Sequence, residues 1–168
     1  PTTALDVTVQ RQILDLLAKL QSSHGMAMIL ITHDMGVVSG MSDKVGVMYA
    51  GQFVESATSA RLFTSVHHPY TDALLASIPR LELASHTRLT VIEGHPPDMV
   101  EVPTGCRFSP RCRHARPDCS ADTPALVAGE TPDHLYRCFY PLGFTTTDLS
   151  ARAGSEPTNH LVDEGSRA

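Results

Sequence analysis

The sequence predicts an α/β fold on three observations. An amphipathic helical pattern lies near its start. An apolar run follows directly, of the kind a parallel sheet covers on both faces. After Pro79 the chain changes abruptly to a proline-rich stretch that carries every cysteine. Composition sets the outer bounds. With 168 residues, 42% of them apolar and 18% charged, and a net charge of -5, the chain has material for a core and no strong pull toward nucleic acid or anionic lipid. The longest apolar run, Met26 to Ile31, falls far short of the roughly 20 residues that cross a bilayer, and no charged-then-apolar leader opens the chain. Residue 1 is a proline with a helical pattern close behind it, so the expectation is a fragment that starts in mid-domain.

From Val7 the apolar residues Val9, Ile13, Leu16, Leu17 and Leu20 recur at helical spacing while Gln10, Arg11, Asp15 and Lys19 fill the other face. Asp6 stands where an N-cap belongs, and Ser22 to Gly25 supply a stop. Met26 to Ile31 is apolar at every position and predicts a buried strand. Thr32-His33-Asp34 closes it, and Met35 to Met41 resumes a short helix that Thr32 or Asp34 can cap. Lys44 to Tyr49 and Gln52 to Ser56 are β-prone runs divided by Ala50-Gly51, which predicts a hairpin. Ala60 to Val66 and Tyr70 to Ile78 read as two short helices, with Pro69 in the first turn of the second, where its missing N–H costs nothing. Beyond Pro79 so few apolar residues predict a thin core that wants a covalent or metal staple. From about Thr145 the sequence is small and polar without periodicity, and a disordered tail over 145–168 is expected.

Pro1-Thr2-Thr3-Ala4-Leu5-Asp6 and Ile31-Thr32-His33-Asp34, separated by one helix and one apolar run, resemble the nucleotide-site segments of ABC ATPases. The resemblance implies the C-terminal part of an ABC-type P-loop NTPase domain, a parallel sheet with flanking helices, over residues 1–66. It implies that Asp6 belongs to the loop that crosses a dimer interface. His33 becomes the switch histidine, a catalytic and nucleotide-binding residue. Chemistry is consistent with this. Ligands of α/β sheets sit beyond the carboxyl ends of strands, where an imidazole can donate to a γ-phosphate oxygen, and phosphoryl transfer asks mainly for positioning and charge stabilisation. The ordinary alternatives are a surface histidine and a helix-capping aspartate. No Gly-Lys-Ser/Thr phosphate loop is present, since Lys19 and Lys44 follow Ala18 and Asp43. The signature segment and catalytic glutamate are missing too and are expected upstream of Pro1, so the isolated chain is expected not to hydrolyse ATP.

The stretch His67-His68-Pro69-Tyr70-Thr71-Asp72-Ala73-Leu74-Leu75-Ala76-Ser77-Ile78-Pro79 resembles the start of the C-terminal extension of oligopeptide and dipeptide importer ATPases, a branch that includes nickel and some glycoside importers. It places an irregular, cysteine-bearing extension at 67–144. His67, His68 and Tyr70 are read as structural, flanking and packing the turn that Pro69 makes, and Gly94-His95-Pro96-Pro97 as a rigid turn.

Cys106, Cys112, Cys119 and Cys138 are separated by 5, 6 and 18 residues. Disulfides are one reading, but an ATPase of this family works in a reducing compartment where paired cysteines rarely persist, so a tetrathiolate metal site is preferred. The spacing lacks the Cys-x-x-Cys knuckles usual in zinc ribbons and suits an iron-sulfur cluster at least as well as zinc. The resemblance adds that some peptide-importer ATPases carry a [4Fe-4S] cluster here, with Zn as the alternative. His114 and His134 are possible substitute ligands. Arg107, Arg111, Arg113, Arg116 and Arg137 are expected to favour the thiolates.

The reading implied is an ATP-binding and ATP-hydrolysing subunit of a peptide importer, using ATP with Mg. It would be peripheral at the cytoplasmic face of the membrane. Its partners would be membrane permease subunits, a second ABC ATPase subunit and, indirectly, a peptide-binding protein, with no nucleic acid. The alternative is a stand-alone metal-stapled interaction module without ATPase activity.

Overall fold

The computed structural model describes residues 7–78 and 91–143. Asp6 and the expected tail at 145–168 lie outside the described residues. Contacts divide the chain into two compact units, 1–42 and 43–168.

In the first unit, α1 (Val7–His24) forms as its apolar spacing requires, and the Met26 N–H closes it on the Gln21 carbonyl at 3.2 Å. Ile13, Leu14 and Leu17 are partly covered, whereas Val9, Leu16 and Leu20 are exposed. The buried strand expected at Met26–Ile31 is not formed, and Ile29 and Ile31 are each 92% exposed. A strand exists only through a neighbour that takes up its N–H and C=O groups, and no described residue of 7–42 forms a ladder with this run. The short helix α2 (Met35–Met41) is where the sequence places it, with Asp34 as its cap.

The second unit is built on a hairpin. In β1 (Lys44–Tyr49) Val45, Val47 and Tyr49 point inward, and β2 (Gln52–Thr58) pairs with it antiparallel. The two-residue turn needs positive φ at both positions, and Ala50 (φ 47) and Gly51 (φ 76) supply it. The register slips between Val47 and Met48, where Glu55 pairs Val47 but Phe53 pairs Met48. Val54 is the extra residue of a bulge, so Val54 and Glu55 both turn inward where strict alternation would expose one of them.

Helices α3 (Ser59–Thr64) and α4 (Pro69–Ala76) follow, then a 3-10 turn at Ser109–Arg111, α5 (Pro117–Ala121), β3 (Val127–Ala128) and β4 (Leu135–Tyr136). β4 adds to β2 through Glu55–Tyr136 and Ser56–Leu135, and β3 adds to β4. The described sheet is therefore antiparallel throughout, in the order β1-β2-β4-β3, with the expected hairpin as its first pair. For β1 and β2 the reason is local, since a two-residue connection joins antiparallel neighbours. Core residues Val45, Val47, Val54, Ala57 and Leu62 come from the hairpin and α3, and Phe108 and Tyr136 from the later segments. The rings of Tyr49, Tyr70 and Phe108 meet at 4.6 to 5.2 Å and join hairpin, α4 and extension.

Candidate functional site

Three places hold the residues singled out by the sequence. The first is the loop before α2. The Asp34 N–H donates to Thr32 Oγ1 at 3.0 Å, and Asp34 Oδ1 accepts from the N–H groups of Gly36 (2.9 Å) and Val37 (3.3 Å). Both flanking side chains are thus spent on the local backbone, and the exposed His33 side chain stands between them.

The second place is the His67-His68-Pro69-Tyr70 turn. Pro69 cannot donate, so it begins α4 at no cost and leaves His68 as the cap, its Nδ1 accepting the Tyr70 N–H at 3.0 Å. The N–H groups of His67 and His68 donate to the two carboxylate oxygens of Glu55 at 2.7 and 3.0 Å. His134 Nε2 reaches Glu55 Oε1 at 2.8 Å. The His67 ring stacks on His134 at 4.2 Å, and its Nδ1 donates to the Leu142 carbonyl at 3.0 Å. Glu55 is fully buried and both His68 and His134 are 1% exposed. Burial lowers the proton affinity of His67 and takes that of His68 down to about 4, so both rings are neutral near pH 7. His67 and His68 thus flank and close the turn that Pro69 makes, and His134 packs against them.

The third place is a small cavity of about 20 Å³ whose wall includes all four cysteines together with His68, His114, Phe108 and Tyr140. The cysteines are free. Close backbone approach makes this possible: Gly105 lies against the carbonyl of Cys119, where any Cβ would collide with the Cys119 and Ser120 backbone, and the Cys106 N–H donates to the Cys119 carbonyl at 2.8 Å. Burial raises the thiols of Cys106 and Cys112, and it pushes Cys138 up to about 12, with the three other thiols adding to the rise. Among the described residues no group of three or more His, Cys, Asp or Glu side chains closes on a point that could hold a metal ion.

Residues 54–119 match the family described as oligopeptide/dipeptide transporter, C-terminal region. The chain is 47% identical over 142 residues to the oligopeptide transport ATP-binding protein of Escherichia coli, covering 84% of this chain and 41% of that protein. It is 47% identical over 143 residues to a putative peptide import ATP-binding protein of Brucella ovis (82% and 42%) and 44% identical over 139 residues to the dipeptide transport ATP-binding protein of Bacillus subtilis (83% and 41%). The chain belongs to the ATP-binding subunits of oligopeptide and dipeptide ABC transporters. It spans about two-fifths of the length of these relatives. At 84% of the chain, the Escherichia coli alignment necessarily includes His33 and all four cysteines.

The arginines of this chain depart from expectation. They were expected beside the thiols, but they clamp carbonyl groups instead. Arg107 donates to the Ala50 carbonyl, Arg111 to Ile92 (2.8 Å) and Glu93 (2.9 Å), and Arg137 to Phe53 (3.0 Å) and Pro124 (2.9 Å). Arg116 lies 3.8 Å over the Tyr140 ring, and Arg113 is exposed near Glu93. Guanidinium forks that hold irregular backbone replace the ladder bonds that short elements cannot make. Sequence reasoning missed Glu55, whose position in a β-prone run marks it as a solvent-facing charge. It also gave His134 only a possible metal role, whereas the structure puts it on Glu55.

Proposed function

We propose that this chain is the C-terminal part of the ATP-hydrolysing subunit of an ABC importer for peptides. The carrying observation is the extended identity to ATP-binding proteins of oligopeptide and dipeptide transport together with the family match at 54–119. In this reading residues 1–66 complete a nucleotide-binding domain with a parallel sheet, and 67–144 form the extension. The subunit binds ATP with Mg, pairs with a second ATPase subunit, and drives membrane permease subunits from the cytoplasmic face. A peptide-binding protein delivers the solute. No described helix is long and apolar enough to cross a membrane.

His33 donates to the terminal phosphate. Its support is an exposed position in a loop whose other polar side chains are already committed, which leaves the imidazole for a ligand. Asp6 serves communication across the ATPase pair. Cys106, Cys112, Cys119 and Cys138 hold a [4Fe-4S] cluster, or Zn in its place. Four free thiols share one cavity wall, although among the described residues no three of them converge on a single point. When bound, the metal centre staples a module with few regular elements. A stand-alone interaction module gains no support from these relatives.

The test is His33→Ala in the full-length subunit assembled with its partners. ATP hydrolysis and peptide uptake are expected to fall about 100-fold, the scale for losing one donor to a developing charge, with assembly intact. Uptake at the unaltered rate would overturn the assignment.

A further inference from the structure

Two of the four cysteines are joined through their backbones. The Cys106 N–H donates to the Cys119 carbonyl at 2.8 Å, and no other two cysteines share a backbone hydrogen bond among the described residues. Standard bond lengths on either side of that contact keep the two Cα atoms within about 6.7 Å of each other, inside the roughly 4.4–6.8 Å that a disulfide spans. Gly105 makes the approach possible, because the Cys119 and Ser120 backbone passes where a side chain would stand. Both thiols line the same small cavity, so both side chains turn to one side of the contact. Both are free.

We infer that Cys106 and Cys119 form a reversible disulfide in the metal-free chain, made by exchange with a low-molecular-weight disulfide such as oxidised glutathione. This goes beyond the metal reading and stands if that reading fails. Cys106 is partly exposed and Cys119 is 8% exposed, so the oxidant meets Cys106 first. The Cys106 thiolate attacks one sulfur of the oxidant and releases one glutathione thiolate. Cys119 gives its proton to solvent, attacks the Cys106 sulfur of the mixed disulfide and expels the second glutathione thiolate. Two protein thiols and one oxidised glutathione become one protein disulfide and two glutathione thiols, so the protein loses two electrons and the oxidant gains them. Burial raises the Cys106 thiol, which slows the first step and makes the pair answer to lasting oxidation and not to brief pulses. In a reducing compartment such a bond is transient, as redox-sensing disulfides are. A sulfur in a disulfide is no longer a thiolate ligand, so this bond and a metal held by all four thiols exclude one another.

The test incubates the metal-free chain with oxidised glutathione, alkylates the remaining thiols and digests with trypsin. Arg107, Arg113 and Arg137 lie between successive cysteines, so each cysteine falls on its own peptide. The expected result is a fall from four free thiols to two, a mass lower by two hydrogens, and a cross-link joining the Cys106 peptide to the Cys119 peptide. Dithiothreitol should reverse all three. Cys112→Ser with Cys138→Ser is expected to keep the cross-link, whereas Cys119→Ser is expected to stop at a glutathione adduct on Cys106. Thiols that all stay free, an adduct that persists in the unaltered chain, or a cross-link through Cys112, Cys138 or a second chain would each overturn the inference. The unaltered chain carries the decisive readout, so the outcome does not depend on whether the variants fold.

Discussion

Residues 7–42 and 43–143 differ in how far their polar side chains reach along the chain. In 7–42 the side-chain hydrogen bonds are local: Ser23 to Leu20, Asp34 to Gly36 and Val37, Ser39 to Gly36. In 43–143 local caps recur at Thr58, His68 and Asp98, but most of the side-chain bonds tie distant parts of the chain: Glu55 to His134, Arg107 to Ala50, Arg137 to Phe53, His67 to Leu142. Local bonds shape a helix end without holding a fold, while distant bonds make one element depend on another. The apolar surface follows the same divide. The buried core is drawn almost wholly from 43–143, and the most exposed large apolar side chains are Ile29 and Ile31. Burial and long-range polar closure arrive together in one region, which should melt as a unit.

The largest break is Glu55→Ala. It strips two backbone N–H groups and the His134 ring of their common acceptor inside a fully buried site. Removing one member of such a network leaves the others desolvated and unpaired, at a cost of about 3–5 kcal/mol. Urea denaturation is expected to show that loss, with amide exchange rising together across β2, the start of α4 and β4. A change below about 1 kcal/mol would show that this network does not unify the region.

Acid is the second lever, and its sign follows from burial. His67 and His68 have folded values below the ordinary 6.5, His68 at about 4, so the unfolded chain binds more protons between those limits. Their contribution to stability is complete above pH 6.5 and is lost as pH falls toward 4. For His68 the loss is on the order of 3 kcal/mol. Metal-free protein melted across that window should lose stability steadily. A flat profile would mean that these rings can charge where they lie.

How much of this was legible depends on whether a residue's partner is near in sequence. The hairpin was readable because Val45, Val47 and Tyr49 alternate and Ala50-Gly51 suits the turn, and α4 because Pro69 announces its first turn. Met26 to Ile31 reads as a strand from composition alone, but composition cannot supply the neighbour a strand needs. Glu55 was not legible, since the bulge that turns it inward and the His134 that meets it lie outside any local window. The cysteines were readable as a set, and they do line one cavity, but the arginines around them answer to carbonyl groups fixed only by the tertiary fold.

The smallest effect is the sharpest test of the contrast. Asp34→Ala removes the cap of a seven-residue helix, which is too short to persist without help. The expected cost is about 1 kcal/mol, confined to α2 because the capping hydrogen bonds from Gly36 and Val37 reach no further than the first turn. Exchange at the amides of α2 should quicken while the urea midpoint of 43–143 stays put. If that midpoint moves as well, the two regions are energetically coupled, and the local character of the hydrogen bonds in 7–42 is not what separates them. If it does not, a drop in ATP hydrolysis by the full-length variant would be traced to the placement of His33, the neighbour whose loop Asp34 holds in shape.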